Sequence, residues 1–380
     1  MDIKTLCVHG NTRNDDRTGA VSFPIYQSAT FAHPGVGEST GYDYTRVQNP
    51  TREHLEKIMA VLEGGTDALA FASGMAAIAC LAELFCPGDH IIASDDLYGD
   101  SVRYFNSISV KNGLLFDFVD TSDMALIEKC LRPETKAVFI ETPTNPMMQV
   151  TDIPKVSDLT RKNNILFIVD NTFLTPYFQR PLELGADITV HSGTKYLGGH
   201  NDTLAGFLVT NRDDISEKLR NIYKTVGTCL SPFDSWLIIR GVKTLAVRME
   251  RHQDTAMKLA RWLCGHEKVK KVYYTGLPDH PGYAVSARQA TGFGAMISFE
   301  TADRETARRV LEGVKLIQYA ESLGGVESLI TYPVLQTHAD IPAEQRAAKG
   351  IDETLLRLSV GLEAFEDLRD DLAAALEESK

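Results

Sequence analysis

The chain has no surplus of basic residues: across 380 residues its formal net charge is −12. A nucleic-acid or anionic-membrane surface needs clustered Lys and Arg, so neither partner is expected. No apolar run approaches the length of about 20 residues that a membrane span requires. Met1-Asp2-Ile3-Lys4 opens without the apolar core of a signal peptide. The six cysteines contain no CxxC pair. Cys80, Cys86 and Cys130 stand in apolar, helix-like contexts, which predicts reduced core thiols of a cytoplasmic protein and no metal site. Low-complexity tracts are absent. So are a Walker A loop and a GxGxxG opening the first βα unit, and a nucleotide is not implied.

What is present is a βα rhythm. The length allows two domains. Residues 1 to about 50 are rich in turn formers and hold no long periodic segment, so this arm must lie on another surface. Pro50 then precedes a helix over 51–62, with Leu55, Ile58, Met59 and Leu62 on one face. Short apolar runs at 68–72, 90–94, 114–119, 137–141, 165–169 and 204–210 alternate with helical pieces, which predicts a mostly parallel sheet. Residues 213 to about 265 read as helical, with a break at 227–231. Strands are expected at 269–274, 294–300 and 355–360, and helices over 302–313 and 365–378, in an α+β manner. The expected division is an arm (1–50), a large domain (51–250) and a smaller C-terminal domain (251–380).

The chemistry concentrates at the ends of these runs. His191 to Asp202, HSGTKYLGGHND, sets Lys195 among Ser192, Thr194 and glycines. A lysine that forms a covalent imine needs a confined setting and a lowered pKa; nearby hydroxyls can hold a phosphate. Asp170 ends the run 165–169, where an acid points into the crevice of a parallel sheet. A lysine for the Schiff base and an acid for the ring nitrogen are the two groups that pyridoxal phosphate (PLP) needs above all. The Ser73-Gly74 turn opens a helix, expected to run to about Phe85, whose start suits an anion, and Tyr98 offers a flat aromatic face with its hydroxyl available for proton transfer, a second catalytic candidate beside Lys195. Asn145 lies at another strand end. Arg357 in an apolar strand needs an anionic partner, either a substrate carboxylate or a structural acid. Singly, each residue also suits an ordinary loop, turn or cap.

In combination the motifs are specific: YDYTRVQNPTR (42–52), ASGMAAI (72–78), DDLYG (95–99), ETPTNP (141–146), VDNTF (169–173), HSGTKYLGGHND (191–202), ESLGGVESL (321–329) and LLRLSVGLE (355–363). With these the chain resembles the Cys/Met-metabolism (transsulfuration) family of PLP enzymes, from about Gly19 to its last helix. The resemblance implies fold type I, with a mostly parallel seven-stranded sheet, and a homotetramer of dimers that share active sites. It implies Lys195 as the Schiff-base lysine and proton shuttle, Asp170 on the ring nitrogen and Tyr98 stacked on the ring. Ser73, Gly74, Met75, Thr172, Ser192 and Thr194 would complete the cofactor site, with Tyr44 and Arg46 from the neighbouring subunit. Arg357 would bind the α-carboxylate of an amino-acid substrate beside Asn145 and Ser322, and Asp43 and Glu327 would form an acidic pair near its amino end.

Within the family, Asp100 stands where methionine γ-lyases are expected to carry cysteine and where other branches commonly have glycine. The combination with SPFDSW and GGVESLITYP looks most like cystathionine γ-synthases that accept O-acylhomoserine. Cystathionine γ- or β-lyase and O-acetylhomoserine sulfhydrylase stay open, as do the leaving group and the thiol. From other classes, a nicotinamide oxidoreductase fits the rhythm but lacks GxGxxG. A silent scaffold would be expected to have lost the lysine or the aspartate.

Overall fold

A computed structural model describes residues 1–10, 18–339 and 343–377. Seven strands form the larger sheet: β1 (Asp67–Phe71), β2 (His90–Ser94), β3 (Leu115–Val119), β4 (Thr135–Glu141), β5 (Leu166–Asp170), β6 (Ile188–Ser192) and β7 (Gly206–Thr210). Their order is β1-β7-β6-β5-β4-β2-β3, and β7 alone runs antiparallel to its neighbours. The strands are continuous apolar runs because both faces are covered. Val138, Ile140, Phe167 and Val169 enter the core on one face, while Ala137, Phe139 and Ile168 enter the core on the other.

Five further strands make the second sheet: β8 (Val269–Tyr273), β9 (Met296–Thr301), β10 (Gln318–Tyr319), β11 (Leu329–Thr331) and β12 (Leu355–Ser359). Their order is β10-β11-β12-β9-β8, antiparallel except for the β10–β11 pair. The core on one face of the large sheet continues into this one through Ile297, Phe299, Leu356 and Leu358. Ser298 Oγ also donates to the Pro146 carbonyl at 2.7 Å, tying β9 to the segment after β4.

The expected helix after Pro50 runs Pro50–Glu63, capped by Asn49, whose side chain accepts from Thr51 and Arg52 N–H. The helical stretch breaks where Gly227 to Ser231 predicted, and again between Val242 and Leu245. Three local expectations differ. The amino-terminal stretch is not wholly irregular: Ile3–His9 is helical, and Leu6 and Cys7 are buried in the core that holds Ile58 and Met59. The helix after Ser73 stops at Ala82, short of Phe85. Of the three supposed core thiols only Cys80 is buried; Cys130 is half-buried and Cys86 is exposed just before the Pro87-Gly88 turn. All six cysteines are unpaired.

Candidate active site

β1, β2, β4, β5 and β6 point the same way, so their carboxyl ends form one rim, where α/β sheets hold ligands. A cavity of about 330 Å³ lies there. Ser73, Gly74 and Met75 line it from the turn after β1, Tyr98 from the turn after β2, and Asn145 from the segment after β4. Asp170 and Thr172 come from the end of β5, and Ser192, Thr194 and Lys195 from the end of β6. Ser322 and Arg357 close it from the second sheet.

The small residues are required sterically. A Cβ on Gly206 would stand 2.1 Å from the Ser73 carbonyl oxygen, so the start of β7 passes directly under the Ser73-Gly74 turn. Ser73 caps the following helix by accepting from Ala76 N–H at 3.0 Å. That leaves the N–H groups of the helix start pointing at the cavity. Gly324 has φ +76, and a Cβ there would meet the Tyr196 amide nitrogen at 2.6 Å. The loop over 320–328 can therefore close on the lysine segment only with glycine at this point. Ser322, in the same loop, holds φ 90, an unfavourable value for a side-chain residue.

Lys195 Nζ donates to Ser322 Oγ at 2.8 Å. Burial and then the Arg357 charge push its pKa down to about 8, against pulls upward from Glu321 and Asp100. Asp170 uses one carboxylate oxygen for two bonds, from Thr172 N–H (3.0 Å) and Thr172 Oγ1 (2.6 Å). Thr172 Oγ1 in turn accepts from Ser192 N–H at 2.9 Å, locking β5 to β6 at the rim. Burial raises Asp170, and its Thr172 bonds and the His191 charge oppose the rise.

Arg357 is buried and has only neutral partners: Asn145 Oδ1 (2.8 Å), the Ser322 carbonyl (2.9 Å) and Thr331 Oγ1 (3.1 Å). Its Nε has no partner among the described residues. Burial lowers it to about 10. Of the two partners left open by the sequence, a structural acid in contact is therefore not found among the described residues.

Four expected site residues lie elsewhere. Glu327 lines a wider pocket of about 950 Å³ that meets the inner one at Thr194, Leu204, Glu321 and Ser322. It accepts from Asn201 Nδ2 at 2.8 Å. Asp43, Tyr44 and Arg46 are absent from their own chain's cavity. Asp43 accepts from Ser39 Oγ on the arm, and Arg46 bonds the Lys224 carbonyl with its guanidinium 5.5 Å from the Tyr44 ring.

The cavity also contains an acid not singled out from the sequence. Glu141, the last residue of β4, stands in register beside Asp170 and accepts from Tyr98 N–H at 3.0 Å. Burial and then the Asp170 charge hold its pKa well above the usual carboxylate range. The signal was the same as for Asp170, an acid at the end of an apolar strand. Behind the rim, buried His191 is paired with Glu63, which also accepts from Asn171 Nδ2 at 3.2 Å.

These groups fit PLP. A buried lysine of lowered pKa, an acid raised by burial, and an open helix start are what its aldehyde, ring nitrogen and phosphate require. The family model for "Cys/Met metabolism PLP-dependent enzyme" matches residues 4–377. The chain is 48% identical to a cystathionine gamma-lyase of Bacillus subtilis, covering 99% of this chain and 100% of the relative. It is also 48% identical to that organism's cystathionine gamma-synthase/O-acetylhomoserine (thiol)-lyase, over 98% of this chain and 96% of the relative. The crystal structure of cystathionine gamma-lyase from Lactobacillus plantarum, complexed with L-serine, superposes with a TM-score of 0.97 at 44% identity, covering 99% of this chain and 98% of that one. With strand-end lysine, acid and phosphate turn gathered on a type I fold, and with likeness along its whole length, the chain belongs to the Cys/Met metabolism family of PLP-dependent enzymes.

Proposed function

We propose that the protein is a cystathionine γ-synthase, replacing the acyl group at Cγ of an O-acylhomoserine by the sulfur of cysteine. We propose further that the acyl group is uncharged, acetyl rather than succinyl or phosphoryl. The observation that carries the choice of an uncharged acyl group is the lining of the wider pocket. Asp202, Asp234, Glu321 and Glu327 face it, and no Lys or Arg does among the described residues. Asp234 accepts from the Thr203 and Ser231 hydroxyls, which are neutral donors rather than cations. Such a surface suits the ammonium group of cysteine and repels a second carboxylate or a phosphate.

When bound, PLP supplies an electron sink for the charge left at Cα. Lys195, with roughly a tenth of its amine neutral at pH 7 against almost none for an ordinary lysine, takes and returns protons at Cα and Cβ. Arg357 grips the substrate α-carboxylate while Asn145 and Ser322 hold the guanidinium in place. Asp170 would pair with the ring nitrogen, a cation that would bring its raised pKa back down. Gly74, Met75, Ser192 and Thr194 hold the phosphate, with Ser73 and Thr172 fixing the turns on which they sit. Tyr98, which lines the cavity, would cover the ring. Asp43, Tyr44 and Arg46, away from their own cavity, serve a neighbouring copy in a homodimer or a tetramer of such dimers.

A second reading, cleavage of cystathionine, is favoured by the same acids, since that molecule carries the ammonium group of its cysteine half. A paired assay separates the two. The PLP-loaded protein receives O-acetylhomoserine or O-succinylhomoserine with cysteine in one arm and cystathionine alone in the other, with products identified by mass. Cystathionine from the acetyl ester, with little breakdown in the second arm, is the expected result. Fast breakdown to cysteine and 2-oxobutanoate, or to homocysteine and pyruvate, would make it a γ- or β-lyase. Preference for the succinyl ester would overturn the charge argument.

A further inference from the structure

Tyr98 and Asp100 flank Gly99, where the turn after β2 enters the short helix Gly99–Tyr104. The Tyr98 hydroxyl donates to one carboxylate oxygen of Asp100 at 2.9 Å. The other oxygen of Asp100 is held by Arg103 Nη2 at 2.7 Å. The carboxylate is thus fixed from both sides, one oxygen to each donor. Tyr98 lines the inner cavity, whereas Asp100 and Arg103 are not among the described residues that line it. Asp100 therefore touches a bound molecule only through Tyr98, although its charge is also felt at Lys195.

The charged groups around the phenol come from three elements. Asp100 faces it from its own turn, Glu321 from the 320–328 loop and Arg357 from β12; Glu141 holds the Tyr98 N–H from the end of β4. Burial, then the charge and hydrogen bond of Asp100, then Glu321 push the phenol up to about 12, against Arg357.

We propose that Asp100 is a positioning residue: held by Arg103, it fixes the Tyr98 hydroxyl as a hydrogen-bond donor and so holds the phenol in one orientation at the cavity wall. Tyr98 then acts as an aromatic face whose proton is committed to Asp100, and base duty falls to Lys195 alone. This rests on the proposed role of Tyr98 over the cofactor and deepens it, because the common glycine at position 100 has no carboxylate with which to hold that proton.

The test is a difference titration of tyrosinate absorbance near the red edge of the tyrosine band. It uses the PLP-loaded protein and the variants Asp100→Asn, Asp100→Glu, Tyr98→Phe and Asp100→Asn with Tyr98→Phe. In Asp100→Asn one tyrosine should titrate about one pH unit lower than in the parent. The shift should vanish in the Tyr98→Phe background, since two residues acting through one contact are not additive. Asp100→Glu should restore the parent curve. An unshifted curve in Asp100→Asn, or a shift that persists without the Tyr98 hydroxyl, would overturn the proposal. Inactivity on every sulfur substrate would instead overturn the proposed function, while the titration would still decide the role of Asp100.

Discussion

Arg52 and Arg357 are each 1% exposed, yet the fold treats them in opposite ways. Arg52, in the first turn of the helix Pro50–Glu63, stands 3.7 Å from Glu56 with its guanidinium 5.7 Å from the Tyr223 ring. It also donates to the Thr45 and Leu230 carbonyls. Glu56 is shared with Arg220, which also pairs with Asp67, so this cluster closes on itself. Arg357 has neutral acceptors, an unmatched Nε and a cavity in front of it. Arg248 is a useful third case. It too lacks a carboxylate, but its Nε, Nη1 and Nη2 all find acceptors, on Thr244, Tyr196 and Gly241, and it lines none of the cavities described above. Buried charge that is matched in place serves the fold. Buried charge left unmatched and facing a cavity is a candidate for a ligand, because a protein seldom bears that desolvation cost without use.

The contrast can be broken most severely at Lys195. Lys195→Ala should cut turnover by about 10⁴-fold and remove the visible absorbance band of the bound cofactor, read by spectroscopy and product assay. Retained turnover would remove the lysine from the chemistry. At the matched cluster, Arg52→Met leaves Glu56 short of a partner and should cost about 3 kcal/mol of stability, read by denaturant unfolding. A cost near zero would erase the distinction between the two arginines.

A subtler effect concerns pH. Lys195 is lowered from 10.5 to about 8, so the amine able to attack the cofactor aldehyde grows as pH rises through 8. The rate of PLP incorporation into the apoprotein, followed by its absorbance, should rise and level off with an apparent pKa near 8. A midpoint near 10.5 would mean that burial does not tune this group. The linked stability has a definite sign. Between pH 8 and 10.5 the unfolded state binds more protons at this group, so its contribution makes the apoprotein more stable as pH increases. The smallest effect is at the rim of the wider pocket. Glu327→Gln should raise the KM for cysteine roughly fivefold with little change in kcat, measured by initial rates.

Much of this was visible in the residues themselves. Asp170 could be placed because an apolar strand ends in it, and Lys195 because small hydroxyl and glycine neighbours surround it. Arg357 stood out as a cation in an apolar run. What escaped notice depends on pairing between distant segments. Glu141 ends a strand just as Asp170 does, but it becomes one of two buried acids only through the β4–β5 register. The antiparallel direction of β7 leaves no trace in its composition, since it is as apolar as its parallel neighbours. The helix Ile3–His9 is too short for periodicity to reveal and gains burial for Leu6 and Cys7 from the core around Ile58. The bond from Tyr98 to Asp100 likewise depends on how the turn between them is folded.

The central claim, that the unmatched guanidinium is kept for a substrate carboxylate, is tested most directly by Arg357→Met, measuring unfolding and steady-state kinetics on the same preparation. The account predicts stability within about 1 kcal/mol of the parent, since relief of a lone buried charge offsets the lost neutral hydrogen bonds. It also predicts a fall in kcat/KM of about 10² to 10³, carried mainly by KM for the amino-acid substrate. An unchanged KM together with a stability loss like that of Arg52→Met would contradict it, and would make Arg357 one more structural arginine.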